Sequence, residues 1–332
     1  MTTRAVRWGM IGCGAVTEVK SGPALQKAEG STLVAVAGRR PGPAEAYARR
    51  HGVPRWYDDP AGVLNDPEVD IVYVATPPDA HLPLALACAR AGKPAYVEKP
   101  MALDGAQCDA MNEAFRAAGL PLYVAYYRRA LPRFRKVKEL VEAGAVGTPR
   151  LARVALSRPT AAGEGDPSTR PWRVRPEVAG GGHFVDLACH TLDVLDFALG
   201  PIAEVAGLAG NQAGLYPAED VVCCAFRFEG GAFGSGAWSF AAGREDLVEI
   251  VGDRGTLRVA TFDDRPVELE RGGAVVERHD LPNPPHIQQP LVQTIVDEWR
   301  GVGSCPSTGV TAARTSRVMD AALRGYRGPR AG

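Results

Sequence analysis

Short apolar runs alternate with amphipathic stretches along the first 126 residues, a pattern typical of a parallel sheet whose strands are connected by helices. Strands are predicted over 4–11, 32–37, 69–75 and 94–97, where apolar or β-branched residues follow one another. A helix predicted over about 82–91 ends at Gly92. This part of the chain therefore predicts an open α/β sheet that is buried on both faces.

Beyond residue 147 the pattern changes to longer segments of alternating polarity, typical of strands with one buried face. Strands are predicted over 149–157, 204–210, 220–228, 232–240, 246–251 and 256–261, with hairpin turns at 229–231 and 252–255. We expect a mostly antiparallel sheet, with a helix over 186–199 on one face and two further helices over about 290–301 and 310–324. The chain therefore divides into two predicted domains, 1–126 and 127–332.

The second sheet has one face that the predicted helix leaves open. Five residues are assigned to this open face, unless the strand register turns them inward: Val222, Cys224, Phe226, Phe233 and Trp238. A shift of one residue would exchange the two faces. An uncovered apolar sheet face needs a partner, so we expect another protein surface to cover this sheet.

A glycine turn follows the first predicted strand. The run Gly12-Cys13-Gly14-Ala15-Val16-Thr17 leads from that strand into a helix, the geometry that places backbone N–H groups against a pyrophosphate. Gly12 permits the turn and Gly14 allows a close approach of the phosphates, whereas Thr17 stands where the usual fingerprint has a third glycine. The sequence therefore predicts a Rossmann-type dinucleotide-binding domain, followed by an α+β domain.

The end of the second predicted strand indicates which dinucleotide binds. An acidic residue at this point would bind the ribose 2′-hydroxyl of NAD(H), but the chain has Gly38-Arg39-Arg40. A guanidinium can donate two hydrogen bonds to a 2′-phosphate and stack on adenine. NADP(H) is therefore favoured and NAD(H) is possible. The alternative is that Arg39 and Arg40 are solvated loop charges.

Two further strand ends carry candidate chemistry, because ligands in open α/β sheets bind outside the carboxyl ends of the strands. One strand ends in Thr76-Pro77-Pro78 and the next in Glu98-Lys99-Pro100. A lysine beside a nicotinamide can bind a substrate hydroxyl or donate a proton to an alkoxide. The alternative for Lys99 is an ordinary surface lysine.

A second glycine run, at 180–182, leads into the helix predicted over 186–199. Asp186, His190 and Asp193 share one face of that helix. A carboxylate one turn away can orient the imidazole of His190, whose ordinary pKa of about 6.5 suits proton transfer near neutral pH. The alternative is a charge at the start of the helix followed by a solvated histidine.

Composition narrows the possible partners and compartment. The formal net charge is zero, so a nucleic acid partner is not expected. No stretch is apolar enough to span a membrane, and the first residues lack the apolar core of a signal peptide. Seven cysteines occur without metal-ligand spacing, so no metal site is predicted. Those in apolar settings, Cys88, Cys189, Cys223 and Cys224, are expected to be reduced and mostly buried, as in a cytoplasmic protein.

Taken together, these motifs resemble the glucose–fructose oxidoreductase/inositol dehydrogenase/MocA family of nicotinamide-dependent oxidoreductases. The resemblance covers nearly the whole chain in order. It rests on Gly12-Cys13-Gly14, 75–78 with His81, Glu98-Lys99-Pro100, 126–132, Trp172-Arg173, 180–193, 249–257 and 306–309. Together, the lysine motif and the second glycine run with Asp186 and His190 are its most specific part.

The resemblance implies a homodimer or homotetramer that forms through the open face of the second sheet. It also implies roles for particular residues. Lys99 matches a lysine beside the nicotinamide and the reacting carbon, His190 the residue that exchanges a proton with the reacting oxygen, and Asp186 its acidic neighbour. Arg129, Trp172 and Arg173 match positions near the cofactor or substrate. The candidate cofactor-binding residues are Gly12, Cys13, Gly14, Ala15, Val16, Arg39, Arg40, Thr76, Pro77, Pro78, His81, Glu98 and Lys99. From the residues alone, Trp172 is as well explained as a packing anchor in the irregular segment 157–178.

Three functions fit these observations. The first is a hydride transfer between NADP(H) or NAD(H) and a secondary alcohol or ketone of a sugar, cyclitol or related polyol. The second is an enzyme that uses tightly held NAD(H) for internal redox during sugar glycoside cleavage or isomerisation. The third is a non-catalytic sugar or nucleotide sensor, because a fold does not fix a function. The joint presence of Lys99, Asp186 and His190 argues against the sensor.

Overall fold

The structure is a computed structural model that describes residues 4–327. The chain divides into two compact units. The N-terminal unit contains the described residues up to Ala102, Ala106–Leu131 and Pro284–Ala313. The C-terminal unit contains Leu103–Gly105, Pro132–Asn283 and the described residues from Arg314 onward.

The N-terminal unit is built on a six-stranded parallel sheet with the strand order β3-β2-β1-β4-β5-β6. This is the order of a Rossmann fold, so the predicted fold is confirmed. The strands are β1 Val6–Ile11, β2 Ser31–Ala37, β3 Arg55–Tyr57, β4 Ile71–Val74, β5 Ala95–Val97 and β6 Leu122–Val124. The helices between them are α1 Gly22–Lys27, α2 Pro43–His51, α3 Pro60–Asn65, α4 His81–Arg90 and α5 Gly105–Ala117.

The C-terminal unit contains an eight-stranded sheet with the order β14-β13-β12-β11-β7-β10-β9-β8. Its neighbours are antiparallel except for β7 and β10, so the predicted mostly antiparallel sheet is confirmed. The strands are β7 Pro149–Ser157, β8 Ile202–Gly210, β9 Val221–Phe228, β10 Phe233–Ser239, β11 Glu245–Gly252, β12 Thr256–Val259, β13 Val267–Arg271 and β14 Ala274–His279. Its helices are α6 Pro132–Glu142, α7 Pro176–Ala179 and α8 Cys189–Leu199.

Four apolar residues of this sheet lie on the buried face that α8 covers, and not on the open face. Trp238 on β10 is fully buried and donates a hydrogen bond from Nε1 to Thr191 Oγ1 of α8, at 3.1 Å. Val222, Cys224 and Phe226 lie on the same face because they stand opposite every second residue of β10. The expectation that these four residues lie on the open face is wrong. Phe233, which is 58% exposed, does lie on the open face.

The last part of the chain returns to the N-terminal unit. It contains helix α9 Gln289–Trp299, and α10 Gly309–Arg327 follows it. Within the N-terminal unit, Ser307 Oγ donates a hydrogen bond to the carbonyl oxygen of Val124 on β6, at 2.7 Å. Residues 284–313 therefore pack with the dinucleotide-binding fold, whereas the sequence pattern predicts them in the second domain, 127–332. The assignment of dinucleotide binding to residues 1–126, and of substrate binding and oligomerisation to residues 127–332, stays a prediction.

The cysteines and helices bear on two further expectations. All seven cysteines are free, and five of them are buried. Cys223 is exposed, on the open face of the C-terminal sheet, contrary to its expected burial. The cytoplasmic location stays a prediction. Among the described helices, none has the length and hydrophobicity required to cross a lipid bilayer.

Candidate active site

The glycine turn after β1 has the conformation that its sequence predicts. Gly12 has a φ of 105°, and a Cβ at this position would lie 2.8 Å from the carbonyl oxygen of Ala75. At Gly14 an added Cβ would meet no heavy atom of residues 4–327 within 4 Å, so a ligand can approach the backbone there. Thr17, in place of a third glycine, donates from Oγ1 to the carbonyl oxygen of Gly14 at 2.7 Å.

The turn continues into a π-helical segment, Thr17–Ser21, rather than directly into an α-helix. Ala15 is exposed and Val16 half-buried at its start. The Cys13 thiol lies 3.9 Å from the carbonyl oxygen of Ala37, and burial raises its pKa to about 11. Cys13 therefore stays protonated near neutral pH.

Arg39 and Arg40 are exposed just after β2. Within residues 4–327, neither guanidinium has an ion-pair or hydrogen-bond partner. The next carboxylate along the chain, Glu45, pairs with Arg49 at 2.6 Å. Both arginine side chains are therefore available to an anionic ligand.

His81 connects the loops that follow β4 and β5. Its ring is fully buried, with Nδ1 3.0 Å from the carbonyl oxygen of Pro100 and Nε2 2.8 Å from that of Thr76. Burial lowers the pKa of His81, whereas its hydrogen bonds to the backbone carbonyl groups oppose that shift. The His81 ring thus links the loop after β4 to the loop after β5. Its contact with the cofactor stays a prediction.

Thr76 offers the clearest sign of a missing ligand in the N-terminal unit. Its Oγ1 atom is buried, and no hydrogen-bond partner for it lies among residues 4–327. Buried hydroxyl groups are normally paired. The orphaned hydroxyl and the space above Gly14 both fit a bound dinucleotide. The neighbouring Pro77 is half-buried and Pro78 is buried.

Glu98 is the centre of a buried hydrogen-bond network. Its Oε1 accepts from Tyr73 OH at 2.6 Å and from Gln288 Nε2 at 2.7 Å, and its Oε2 accepts from the backbone N–H of Lys99 at 3.0 Å. Burial raises the pKa of Tyr73 well above its ordinary value, so that hydroxyl remains a donor. The carboxylate therefore fixes the backbone of Lys99. Gln288 was missed, because a single glutamine outside any motif carries no sequence signal.

Arg129 is the other predicted site residue of this unit. It lies in a 3₁₀ turn, Tyr127–Ala130, and is 4% exposed. Its Nη1 donates to the carbonyl oxygen of Pro306 at 3.3 Å. Arg129 is thus tied to the segment that returns to the N-terminal unit.

In the C-terminal unit, the glycine run at 180–182 is tightly packed. Gly180 has a φ of 80°, and an added Cβ would lie 2.5 Å from the carbonyl oxygen of Leu103. The N–H of Gly182 donates to Oε1 of Glu219 at 2.7 Å. No side chain fits at these positions, so the glycines set the course of the backbone into the next helix.

That helix differs from the continuous α-helix expected over 186–199. A π-helical segment, Phe184–Ala188, precedes α8 and carries Asp186. Asp186, His190 and Asp193 are all buried, at 7%, 3% and 1% exposure. The solvated histidine considered as an alternative is therefore wrong.

Asp186 and His190 have partners from two separate loops. Arg173 Nε lies 3.3 Å from Oδ2 of Asp186, and its guanidinium stacks over the Trp172 ring at 4.5 Å. The His190 ring meets the ring of Phe262 edge-to-face, with centroids 5.7 Å apart. Arg173 thus lies against Asp186 with Trp172 packed on Arg173, and their predicted nearness to cofactor or substrate stays a prediction. Phe262, beside His190, carries no sequence signal and was missed.

A second buried group of charges was also missed. Glu164 Oε1 lies 2.7 Å from Nε2 of His183, and both side chains are at most 3% exposed. Glu164 Oε2 accepts from the N–H of Ala161 at 3.1 Å, and Arg158 lies 3.2 Å from Oε1. Burial and the Arg158 charge lower the pKa of His183. This group anchors the irregular segment 158–171, which no periodicity could place.

Comparisons with known proteins match both halves of the chain. A family described as "Oxidoreductase family, NAD-binding Rossmann fold" matches residues 6–126, and "GFO/IDH/MocA C-terminal domain" matches residues 134–258. Oxidoreductase P35 of Formosa agariphila is 33% identical over 318 residues, which cover 95% of this chain and 97% of that protein.

Two further similarities involve proteins with more specific names. Myo-inositol 2-dehydrogenase of Thermotoga maritima is 28% identical over 259 residues, covering 76% of this chain and 74% of that protein. The crystal structure of an aldose–aldose oxidoreductase from Caulobacter crescentus, complexed with glycerol, superposes with a TM-score of 0.86 at 25% identity and covers 98% of both chains.

Proposed function

Because the chain belongs to the GFO/IDH/MocA family of oxidoreductases, with an NAD-binding Rossmann domain over residues 6–126, we propose that it transfers a hydride between a nicotinamide cofactor and a sugar, cyclitol or related polyol. The reacting group would be a secondary alcohol or its ketone. The observation that carries this proposal is the presence of Lys99, Asp186 and His190 in a chain whose two halves both match the family. The similarity to a myo-inositol dehydrogenase supports the substrate class.

The residues of this chain then take distinct roles. The turn at Gly12 and Gly14 and the hydroxyl of Thr76 would hold the dinucleotide. A bound nicotinamide would supply or accept the hydride at its C4 atom. His190 would give a proton to the reacting oxygen during reduction and remove it during oxidation. Lys99 would stabilise the negative charge on that oxygen.

Asp186 would orient the substrate or the imidazole. Its carboxylate is buried and paired with Arg173 at 3.3 Å, so it is held as a hydrogen-bond acceptor in a fixed place. A polyol presents hydroxyl donors to such an acceptor. The half-exposed Arg173 and the Trp172 ring beneath it would form part of the same substrate-binding surface.

The catalytic roles are tested with two substitutions. His190→Gln and Lys99→Met should each lower kcat/KM by about 10²–10⁴-fold. The probe reaction is the oxidation of myo-inositol with NAD⁺ or NADP⁺, followed by a screen of sugars and ketoses. His279→Gln, on strand β14, is the matched control and should keep full activity. Full activity of both site variants would exclude these roles.

For the cofactor, we propose a preference for NADP(H), with NAD(H) as the possible alternative. The support is the pair of exposed guanidiniums of Arg39 and Arg40, and the absence of a carboxylate at the end of β2. Fluorescence titration with NADPH and NADH tests the preference. Arg39→Ala/Arg40→Ala should weaken NADPH binding alone, whereas Arg49→Ala on α2 should not. Tighter binding of NADH to the unmodified protein would refute the preference.

A second candidate is an enzyme that keeps NAD(H) bound and performs internal redox during sugar glycoside cleavage or isomerisation. The similarity to an aldose–aldose oxidoreductase favours it. In that case the purified protein would carry nucleotide that added cofactor does not displace. Absorbance near 340 nm after purification, and exchange against labelled NAD⁺, distinguish the two candidates.

We also propose that the chain forms a homodimer or homotetramer through the open face of the C-terminal sheet. This face exposes Leu208 at 82% and Phe233 at 58%, beside the exposed Cys223. Leu208→Glu should then dissociate the assembly, which light scattering after gel filtration would show. A monomer before the substitution would refute the proposal.

A further inference from the structure

The loop between β12 and β13 is held by one buried carboxylate. Asp246 on β11 is 4% exposed. It accepts the backbone N–H groups of Thr261, Phe262 and Asp263, at 2.8, 2.6 and 2.7 Å. Three consecutive donors on one carboxylate fix the path of the backbone at Phe262.

A buried guanidinium holds the same loop from another side. Arg133 on α6 is 2% exposed and donates from Nη1 to the carbonyl oxygens of Asp263 at 2.6 Å and Arg265 at 3.2 Å. Burying charged groups is unfavourable unless their hydrogen bonds are satisfied. Two buried charged groups, Asp246 and Arg133, therefore fix the backbone of this one loop.

The loop presents the Phe262 ring to His190. The two rings meet edge-to-face at 78°, with centroids 5.7 Å apart. Phe262 is only half-buried, so part of its ring remains open. It also lines, with Leu187 and Phe240, a cavity of about 190 Å³. Phe262 is therefore a direct neighbour of the imidazole, and its own ring is only partly covered.

We propose that Asp246 is a positioning residue which, through the loop 261–263, holds the Phe262 ring against His190. This inference rests on the proposed function, because it takes His190 as the group that exchanges the proton. A reacting side chain must be held within about 0.5 Å of its productive position by neighbours that are themselves fixed. Phe262 restricts the imidazole, and Asp246 restricts Phe262.

The kinetic test compares four variants with myo-inositol or the best substrate of the screen. Phe262→Ala and Asp246→Asn should lower kcat about tenfold or more, with the Kd for NADH or NADPH unchanged. Phe262→Leu, which keeps an apolar side chain, should restore most of kcat.

Asp220→Asn is the matched control. Asp220 is 2% exposed and accepts the backbone N–H groups of Gln212 and Ala213, both at 2.7 Å, so it anchors a different loop of the C-terminal unit in the same way. This variant should keep kcat. An equal loss of kcat in Asp220→Asn and Asp246→Asn would overturn the positioning role, because a general loss of order would then explain both.

A spectroscopic readout separates this inference from the proposed function. The chain has six histidines, so the ring protons can be resolved by NMR with labelled histidine and assigned with His190→Gln. The His190 signal should move in Phe262→Leu, Phe262→Ala and Asp246→Asn, as the ring-current effect of Phe262 is lost, and stay in place in Asp220→Asn. If no substrate is turned over, the proposed function fails, but the His190 signal still tests whether Asp246 and its loop hold Phe262 against His190. An unchanged His190 signal in Phe262→Ala would overturn the inference.

Discussion

Removal of the Glu98 carboxylate should destabilise the N-terminal unit strongly. Glu98 is 6% exposed and accepts three hydrogen bonds, from Tyr73, Gln288 and the backbone of Lys99. In Glu98→Ala all three donors lose their acceptor in a buried place. Glu98→Gln keeps the shape but replaces one oxygen with an NH₂ group, so at least one donor then faces another donor.

The size of the effect follows from this count of bonds. A hydrogen bond to a charged group contributes about 1.5–3 kcal/mol, and an unsatisfied buried donor costs about 1–3 kcal/mol. These values are not additive within one network. We expect Glu98→Ala to lose at least about 3 kcal/mol of unfolding free energy, and Glu98→Gln about 1–2 kcal/mol. Since about 1 kcal/mol shifts the Tm of a domain of this size by about 2–4 °C, Glu98→Ala should lower it by roughly 6–12 °C.

The assay is thermal unfolding followed by circular dichroism, with and without saturating NADPH. Glu113→Ala is the control, since this glutamate is exposed on α5 and its one ion-pair partner among the described residues is Arg116, one turn away. Its Tm should not change. A Glu98→Ala variant as stable as Glu113→Ala would refute the reasoning, because the three donors would then have found other acceptors at no cost.

Three further predictions concern single contacts. Gly12→Ala should lower the free energy of unfolding by about 1–3 kcal/mol, because Gly12 has a positive φ and lies against the carbonyl group of Ala75 after β4. Gly14→Ala should keep its Tm but bind the cofactor more weakly in titrations, because the space at Gly14 is open to a ligand. Asp196→Ala removes two 2.7 Å bonds from the half-exposed Arg314 and should lose about 1–3 kcal/mol in urea unfolding. Because burial lowers the pKa of His183, the unfolded chain takes up a proton there that the native protein does not, so stability is lost as the pH falls below about 6.5. His183→Asn should therefore show a smaller fall in Tm between about pH 7.5 and pH 5.5 than the unmodified protein, and an equal fall would contradict this assignment.

The elements predicted well are those whose pattern is local. Strands such as β1 and β7 follow directly from their apolar or alternating residues, and the turn at Gly12 from its glycines. Strands β13 and β14 were not predicted, because they are short, rich in charged residues and lie at one edge of the sheet. The inward position of Trp238 depended on register, which a single-residue shift reverses.

The residues of the candidate site likewise fall into those that stand in local sequence motifs and those that do not. Lys99, Asp186 and His190 stand in motifs that the sequence displays. Phe262 and Glu164 stand alone among loop residues, so only the folded chain reveals their partners. Gln288 hydrogen-bonds to Tyr96, 192 positions earlier, and no local pattern reports a contact at that separation.

The return of Pro284–Ala313 to the N-terminal unit has a consequence for synthesis on the ribosome. Translation proceeds from the N-terminus, and domains generally fold as they emerge. Here the segment 132–283 must be synthesised before Gln288 can reach Glu98 and before Ser307 can bind to Val124. The dinucleotide-binding fold over residues 6–126 is therefore completed only after residues 284–313 have left the ribosome, and a nascent chain released before Pro284 carries the Glu98 carboxylate without its amide partner.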